Sequence, residues 1–276
     1  MQATLPVDHR EALERGARLG YAAQGVVYLI VGGLAFLAAT GRGGGTTDTR
    51  GALQSLLSQP FGRVLLALAA LGLLGYALWR VLMGVRDPER GGSGDGRKQA
   101  LARRAGYFAS GAANLGLAAF AGGLALPGVI PTPGGGGGGG DGARDWTARL
   151  MAQPFGEWLV ALAGLVFLGV AVAFAVRAYE ASFERHLRPE ARTPAVRNVC
   201  RAGILARAVV FAIIGGFLLL AAWQSDPSEA VGLGGSLRAL RDQPYGPYLL
   251  GLMGLGLVAY AFYSFVAARY RHIPTG

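Results

Sequence analysis

Six apolar runs dominate the chain, at about residues 19–40, 63–84, 105–127, 157–178, 202–223 and 248–268. Polar residues gather between the runs and are sparse within them. At 1.5 Å of rise per residue, a helix of roughly 20 residues crosses the hydrocarbon layer of a bilayer, about 30 Å thick. A helix packed into a soluble bundle keeps a polar stripe toward water, and these runs have almost none. The pattern predicts an all-α membrane protein with six transmembrane helices. The first run follows Arg10, Arg15 and Arg18, as a signal peptide would. It exceeds the roughly 7–15 apolar residues of a signal core, so it reads as a retained helix.

A short phrase recurs between the runs: Gln59-Pro60-Phe61-Gly62, Gln153-Pro154-Phe155-Gly156 and Gln243-Pro244-Tyr245-Gly246. A second signature opens the run before each phrase: Arg18-Leu19-Gly20, Arg104-Ala105-Gly106 and Arg201-Ala202-Gly203. One two-helix unit is therefore used three times, over 18–86, 104–180 and 201–268. A segment 1–17 precedes the first unit, linkers fill 87–103 and 181–200, and a tail covers 269–276. The opening arginines are expected to snorkel to headgroups, and their glycines to let a neighbouring backbone approach. Tyr21 and Tyr107 follow directly, where the third unit has Ile204.

Ahead of each phrase stands a short amphipathic stretch: Ala52 to Leu57, Trp146 to Met151 and Leu237 to Leu240. These are expected to lie flat at the outer interface, apolar side toward lipid. Pro then ends the turn, the aromatic ring sits at headgroup depth, and Gly is expected to permit the change of direction. In the second helices, Gly72, Gly75, Gly251 and Gly254 offer small surfaces for tight packing. Tyr76 and Tyr260 share one phase, 17 residues past the Gln, where the second unit has Val170.

Charge orients the helices. Only 15% of residues are charged, against about 25% in soluble domains. Of 26 basic residues, only Lys98 is a lysine. Sixteen basic residues fall in 1–18, 85–104, 179–201 and the tail, against seven in the three alternate loops. Cytoplasmic loops carry the basic excess, so both termini are expected in the cytoplasm and the Gln-Pro phrases outside. All three units then start and finish on one side. They form parallel repeats, pseudo-threefold about the membrane normal. Arginines spread along the chain in this way do not read as a nucleic-acid footprint, despite the net charge of +10. The Arg-rich loops 85–104 and 179–201 are expected to meet anionic lipid headgroups, at about 1 kcal/mol per basic residue. A cytoplasmic protein partner is the second reading.

The Arg-x-Gly-Tyr starts at Arg18 to Tyr21 and Arg104 to Tyr107, the Gln-Pro-Phe/Tyr-Gly phrases and the Gly75-Tyr76 pair carry a resemblance. On these residues, the chain resembles the domain of unknown function 1206 family of bacterial membrane proteins, over about 18–268. The third start departs from the pattern at Ile204. The resemblance implies three two-helix repeats in a membrane. It implies no activity, substrate or catalytic residue.

Polar groups inside spans are the default place to look for function. Six residues past the opening arginines stand Gln24, Ser110 and Arg207, with Asn114 one turn beyond Ser110. Six residues of helix put the first three about 9 Å inward. The favoured reading is structural: hydrogen bonds between helices, with Arg207 reaching the inner interface or a carboxylate such as Asp87 or Glu180. The other is a cytoplasm-facing cavity for an anion or a lipid headgroup. No Asp or Glu stands mid-span, which argues against proton coupling. His9, His186 and His272 lack ligand spacing, Cys200 is alone, and the seven glycines 134–140 have no Lys-Ser/Thr behind them. Asp48, Asp141, Asp145, Asp226 and Glu229 read as solvating the outer loops. No catalytic set, metal or cofactor is expected. The sequence points to a non-enzymatic structural or interaction module of the bacterial cytoplasmic membrane. The alternative is a small transporter or channel with its path on the pseudo-threefold axis.

Overall fold

The computed structural model describes residues 7–58, 61–86, 97–129 and 141–271. Among the described residues are nine α-helices and no strand: α1 (Val7–Ala39), α2 (Thr49–Ser55), α3 (Gly62–Arg86), α4 (Arg97–Ala125), α5 (Asp141–Met151), α6 (Gly156–Tyr179), α7 (Pro194–Gln224), α8 (Leu233–Arg241) and α9 (Gly246–Tyr270). Each apolar run forms the body of one long helix, and α1, α3, α4, α6, α7 and α9 are long and apolar enough to cross a membrane. The protein is an all-α, multi-pass membrane protein. Three helices begin well ahead of their apolar runs: α1, α4 and α7. For α7 the cause is local. Thr193 accepts from the Val196 N–H and Pro194 opens the helix, a residue whose missing N–H costs nothing there. Gln59, Pro60, Asp87, the glycine run 134–140 and His272 lie outside the described residues.

The chain divides into two compact units, one of residues 1–24, 56–133 and 264–276, the other of 25–55 and 134–263. In the first, α3 packs along α4. Ala17 and Tyr21 of α1, Tyr76, Trp79 and Met83 of α3, and Ala267 of α9 form one buried cluster, with Tyr107 of α4 against it. Ala23, Leu73 and Ala118 form a second layer.

In the second unit, α6 packs along α7, and glycines bring the backbones together. A Cβ on Gly164 would lie 3.0 Å from the Gly215 carbonyl oxygen, and one on Gly215 2.9 Å from that of Gly164. Gly32 of α1 and Gly254 of α9 repeat this contact at 2.7 and 2.8 Å. The two contacts are the same repeat position, since Gly32 and Gly215 stand 14 past their opening Arg and Gly254 and Gly164 stand 11 past their Gln. Lipid is as apolar as Leu, so helices in membranes associate through such small-residue fits. These pairs join successive repeats: α3 to α4, α6 to α7, and α9 to α1. The repeat along the sequence is therefore out of step with the pair in space.

The Gln-Pro-aromatic-Gly turn departs from expectation. Its glycine is not the bent residue. The aromatic residue before it holds the left-handed conformation in all three copies, with φ of 59° at Phe61, 62° at Phe155 and 62° at Tyr245. The glycine is needed for room: a Cβ on Gly62, Gly156 or Gly246 would lie 2.1, 2.3 or 1.7 Å from the main-chain oxygen of Leu56, Leu150 or Arg241. A left-handed non-glycine residue costs about 1–2 kcal/mol. The same twist leaves each ring outside the protein, at 82%, 80% and 79% exposure, as an aromatic belt requires.

Two of the short helices before these turns, α2 and α8, also differ from expectation. Their apolar sides are not free for lipid. Ala52 and Leu53 of α2 and Leu237 of α8 are fully buried in the protein, and α5 buries Thr147 while exposing Trp146.

Candidate functional site

Arg207 of the second unit is enclosed by aromatic rings. Tyr28 of α1, Phe174 of α6, Phe211 of α7 and Tyr260 of α9 surround its guanidinium, with ring centres 5.2, 5.2, 5.2 and 4.7 Å from Cζ. Nη1 donates to the Tyr260 hydroxyl. The rings brace one another: Tyr28 meets Tyr260 edge-on at 4.8 Å, and Phe174 meets Phe211 at 5.5 Å. The negative faces of these rings attract a cation by about 2 kcal/mol or more when water is excluded. Tyr260 also stacks on Tyr263 at 5.5 Å. The Tyr263 hydroxyl accepts from Nη2 of Arg177 at 2.9 Å, and its ring meets Phe183 at 5.8 Å. A chain of aromatic contacts thus runs from the Arg207 cage to the folded linker after α6. The Tyr260 backbone lies directly against Gly203, where a Cβ would come within 2.3 Å of the Tyr260 nitrogen.

The first unit holds a related arrangement around Arg80 of α3. Its Nε and Nη2 donate to the Tyr76 hydroxyl, one turn back on the same helix, at 2.9 and 2.5 Å. Cζ lies 5.0, 5.3 and 5.5 Å from the rings of Tyr76, Trp79 and Tyr107. Tyr21 closes on Tyr76 and Trp79 at 5.1 and 5.8 Å, and Arg271 stands over Tyr21 and Trp79 at 5.4 and 5.8 Å. Tyr21, Tyr76 and Trp79 are 2–3% exposed. Tyr76, the counterpart of Tyr260, again backs onto a glycine: a Cβ on Gly20 would come within 2.1 Å of the Tyr76 Cβ.

Three segments of the chain, 19–87, 105–181 and 202–271, match the model of a family described as Domain of Unknown Function (DUF1206). The chain belongs to this family. It is 36% identical to the "Uncharacterized protein YxxB" of Bacillus subtilis (strain 168), over 95% of this chain and 92% of that protein. No solved structure matches it. Each DUF1206 segment starts one residue past an opening arginine and runs to the end of a second helix. The tyrosine–glycine contacts Tyr76–Gly20 and Tyr260–Gly203 thus lie inside one DUF1206 unit. The α3–α4 and α6–α7 pairings join one unit to the next.

The opening arginines serve this junction. Headgroup snorkelling was the expectation, but all three reach protein carbonyls. Arg104 Nε donates to the Gly84 oxygen at 2.8 Å, near the end of α3. Arg201 Nη2 donates to the Tyr179 oxygen at 3.2 Å, at the end of α6. Arg18 Nη1 donates to the oxygens of Ala268 and Arg269 at 3.1 and 2.8 Å, at the end of α9, while Nη2 pairs with Glu14 at 2.6 Å. In each case the acceptor is an orphan carbonyl of the previous repeat's second helix, the negative end of its dipole.

The polar set of the DUF1206 units divides. Arg207 sits in the ring cage. Asn114 turns back on its own helix, with Nδ2 donating to the Ser110 main-chain oxygen at 2.8 Å. Gln24 is half-buried on α1. Sequence reasoning passed over Arg80 and Arg177, because each lies in an apolar run rather than a loop. The available signal was a lone cation four residues past Tyr76 and another opposite an aromatic stripe.

Carboxylates of the loops that carry the Gln-Pro phrases serve turns and helix ends. Asp48 accepts from the Gly51 N–H at 2.8 Å at the start of α2. Asp226 accepts from the Ser228 N–H at 2.8 Å, and this bond holds its carboxyl below the usual range, aided by the Ser228 side chain and more weakly by Arg144. Glu157 accepts from the Ser225 hydroxyl at 2.5 Å. Among the described residues, no three His, Cys, Asp or Glu side chains converge as metal ligands would.

Proposed function

We propose that this DUF1206 protein is a non-enzymatic structural or interaction module of the bacterial cytoplasmic membrane. One observation carries the reading: Arg207 is engaged by rings from four helices and by the Tyr260 hydroxyl. A cation so enclosed fastens helices together, whereas a transport cation must exchange partners along a path. The excess of arginine at the helix ends bearing Arg18, Arg104 and Arg201 supports cytoplasmic termini, and supports contact of the loops 85–104 and 179–201 with anionic lipid. Purified protein in liposomes tests the module against the transporter or channel alternative. The expected result is no anion or proton flux above empty vesicles. A flux that disappears in Arg207→Gln overturns the module reading. Reporter fusions at each end test the orientation, and a signal outside the cytoplasm overturns it.

A further inference from the structure

The Arg80 cluster buries an indole donor beside its guanidinium. Arg80 donates through Nε and Nη2 to one tyrosine oxygen, and among the described residues it meets no carboxylate. Its neighbour Trp79 is 3% exposed, and its indole Nε1–H is buried with no acceptor among the described residues. A buried N–H without an acceptor costs about 1–3 kcal/mol. An anionic oxygen would supply that acceptor and meet the guanidinium's charge. The guanidinium stands 5.3 Å from the Trp79 ring centre, near enough for one small anion to touch both groups. A second guanidinium, Arg271, stands 5.8 Å from the same ring. The site lies six residues before the end of α3, about 9 Å of helix, at the end where Arg104 bonds to Gly84.

We propose that Arg80 and Trp79 form a binding site for a phosphate group, either the phosphodiester of an anionic phospholipid or free phosphate. A phosphate oxygen accepts from Nη1 of Arg80 and another from the Trp79 indole. A guanidinium suits such oxygens through its planar fork. The inference goes beyond the module reading, because a site of this kind fits a lipid-stabilised module and an anion carrier alike.

The test uses full-length protein with ¹⁵N-labelled indoles in a detergent free of phosphate. Four tryptophans give four indole signals, and Trp79→Phe assigns one by removing it. Phosphatidylglycerol is titrated in one arm and inorganic phosphate in the other. The Trp79 signal is expected to move downfield in at least one arm, and the responding arm identifies the source. Arg80→Gln is expected to weaken the titration about tenfold or more, the scale of a lost charged hydrogen bond. If that variant fails to fold, Arg80→Lys, which keeps the charge and loses the fork, is expected to weaken it severalfold. Arg238→Gln, which removes an exposed charge on α8, leaves it unchanged. No shift in either arm overturns the site. So does a shift that survives in the Arg80 variants, or one that Arg238→Gln abolishes equally.

Discussion

Arg80 and Arg207 reach the same acceptor from different helices. Each donates to the tyrosine 17 residues past the Gln, Tyr76 or Tyr260. Each of those tyrosines backs onto the glycine two residues past an opening arginine, Gly20 or Gly203. Yet Arg80 stands on the tyrosine's own helix, and Arg207 on the first helix of its repeat. The counterpart of Arg80 in the third repeat is Ser264, and that of Arg207 in the first is Gln24. The tyrosine–glycine contact is the constant frame, and the cation comes from whichever helix can present it. Surroundings then separate the two. Arg207 is ringed from four helices and acts as an internal fastener. Arg80 meets rings of α3 and α4 only, beside the buried indole of Trp79. The second repeat has neither a cation at these two positions, where it carries Phe174 and Ser110, nor the frame: Val170 replaces the tyrosine, and a Cβ on the exposed Gly106 would meet nothing within 4 Å.

The sharpest way to break this frame is to crowd it. Gly20→Ala and Gly203→Ala place a methyl against Tyr76 or Tyr260 and are expected to cost about 2–3 kcal/mol by overpacking. Gly106→Ala, with free space around it, is expected to be neutral or to stabilise by up to about 1 kcal/mol through helix propensity. Unfolding of the three variants in one detergent checks this, and equal losses would erase the distinction between repeats. Next in size are the cations. Arg207→Met is expected to cost about 2 kcal/mol. Arg80→Met is expected to cost less, since its guanidinium meets rings of two helices rather than four.

The hydroxyls should matter somewhat less. Tyr76→Phe and Tyr260→Phe are each expected to cost about 1–2 kcal/mol. Double-mutant cycles with the two arginines should show coupling within each pair, and zero coupling would remove the hydroxyl as the shared acceptor. The smallest effect belongs to Asp226, in the loop after α7. Its depressed carboxyl contributes stability above the unfolded-chain pKa of about 4, and that contribution fades as the pH falls through the lower folded value. Asp226→Asn is expected to remove this slight acid sensitivity, as read from unfolding curves between neutral and acid pH.

Much of the frame was legible before any coordinates. Gly20, Gly203, Tyr76 and Tyr260 stand out by phase alone, and Arg207 by its charge inside an apolar run. What the phase could not say was that Gly20 faces Tyr76. The opening arginines and the turn glycines have roles that spacing does not show. Arg104 bonds to Gly84, on the helix of another repeat, and Gly62 makes room for the Leu56 oxygen while Phe61 takes the left-handed conformation.

The sequence by itself determined six spans, three repeats and the residues that mark each repeat. Run length against bilayer thickness is a one-dimensional quantity, and so is a recurring phrase. Only the tertiary structure decided that helices of successive repeats pair, that arginines close the ends of foreign helices, and that two tyrosines receive cations from different directions. Lipid and protein interior are equally apolar, so hydrophobicity cannot tell a helix which face to bury. That choice falls to glycine-sized fits and to hydrogen bonds in search of acceptors, and both exist only once the helices are in contact.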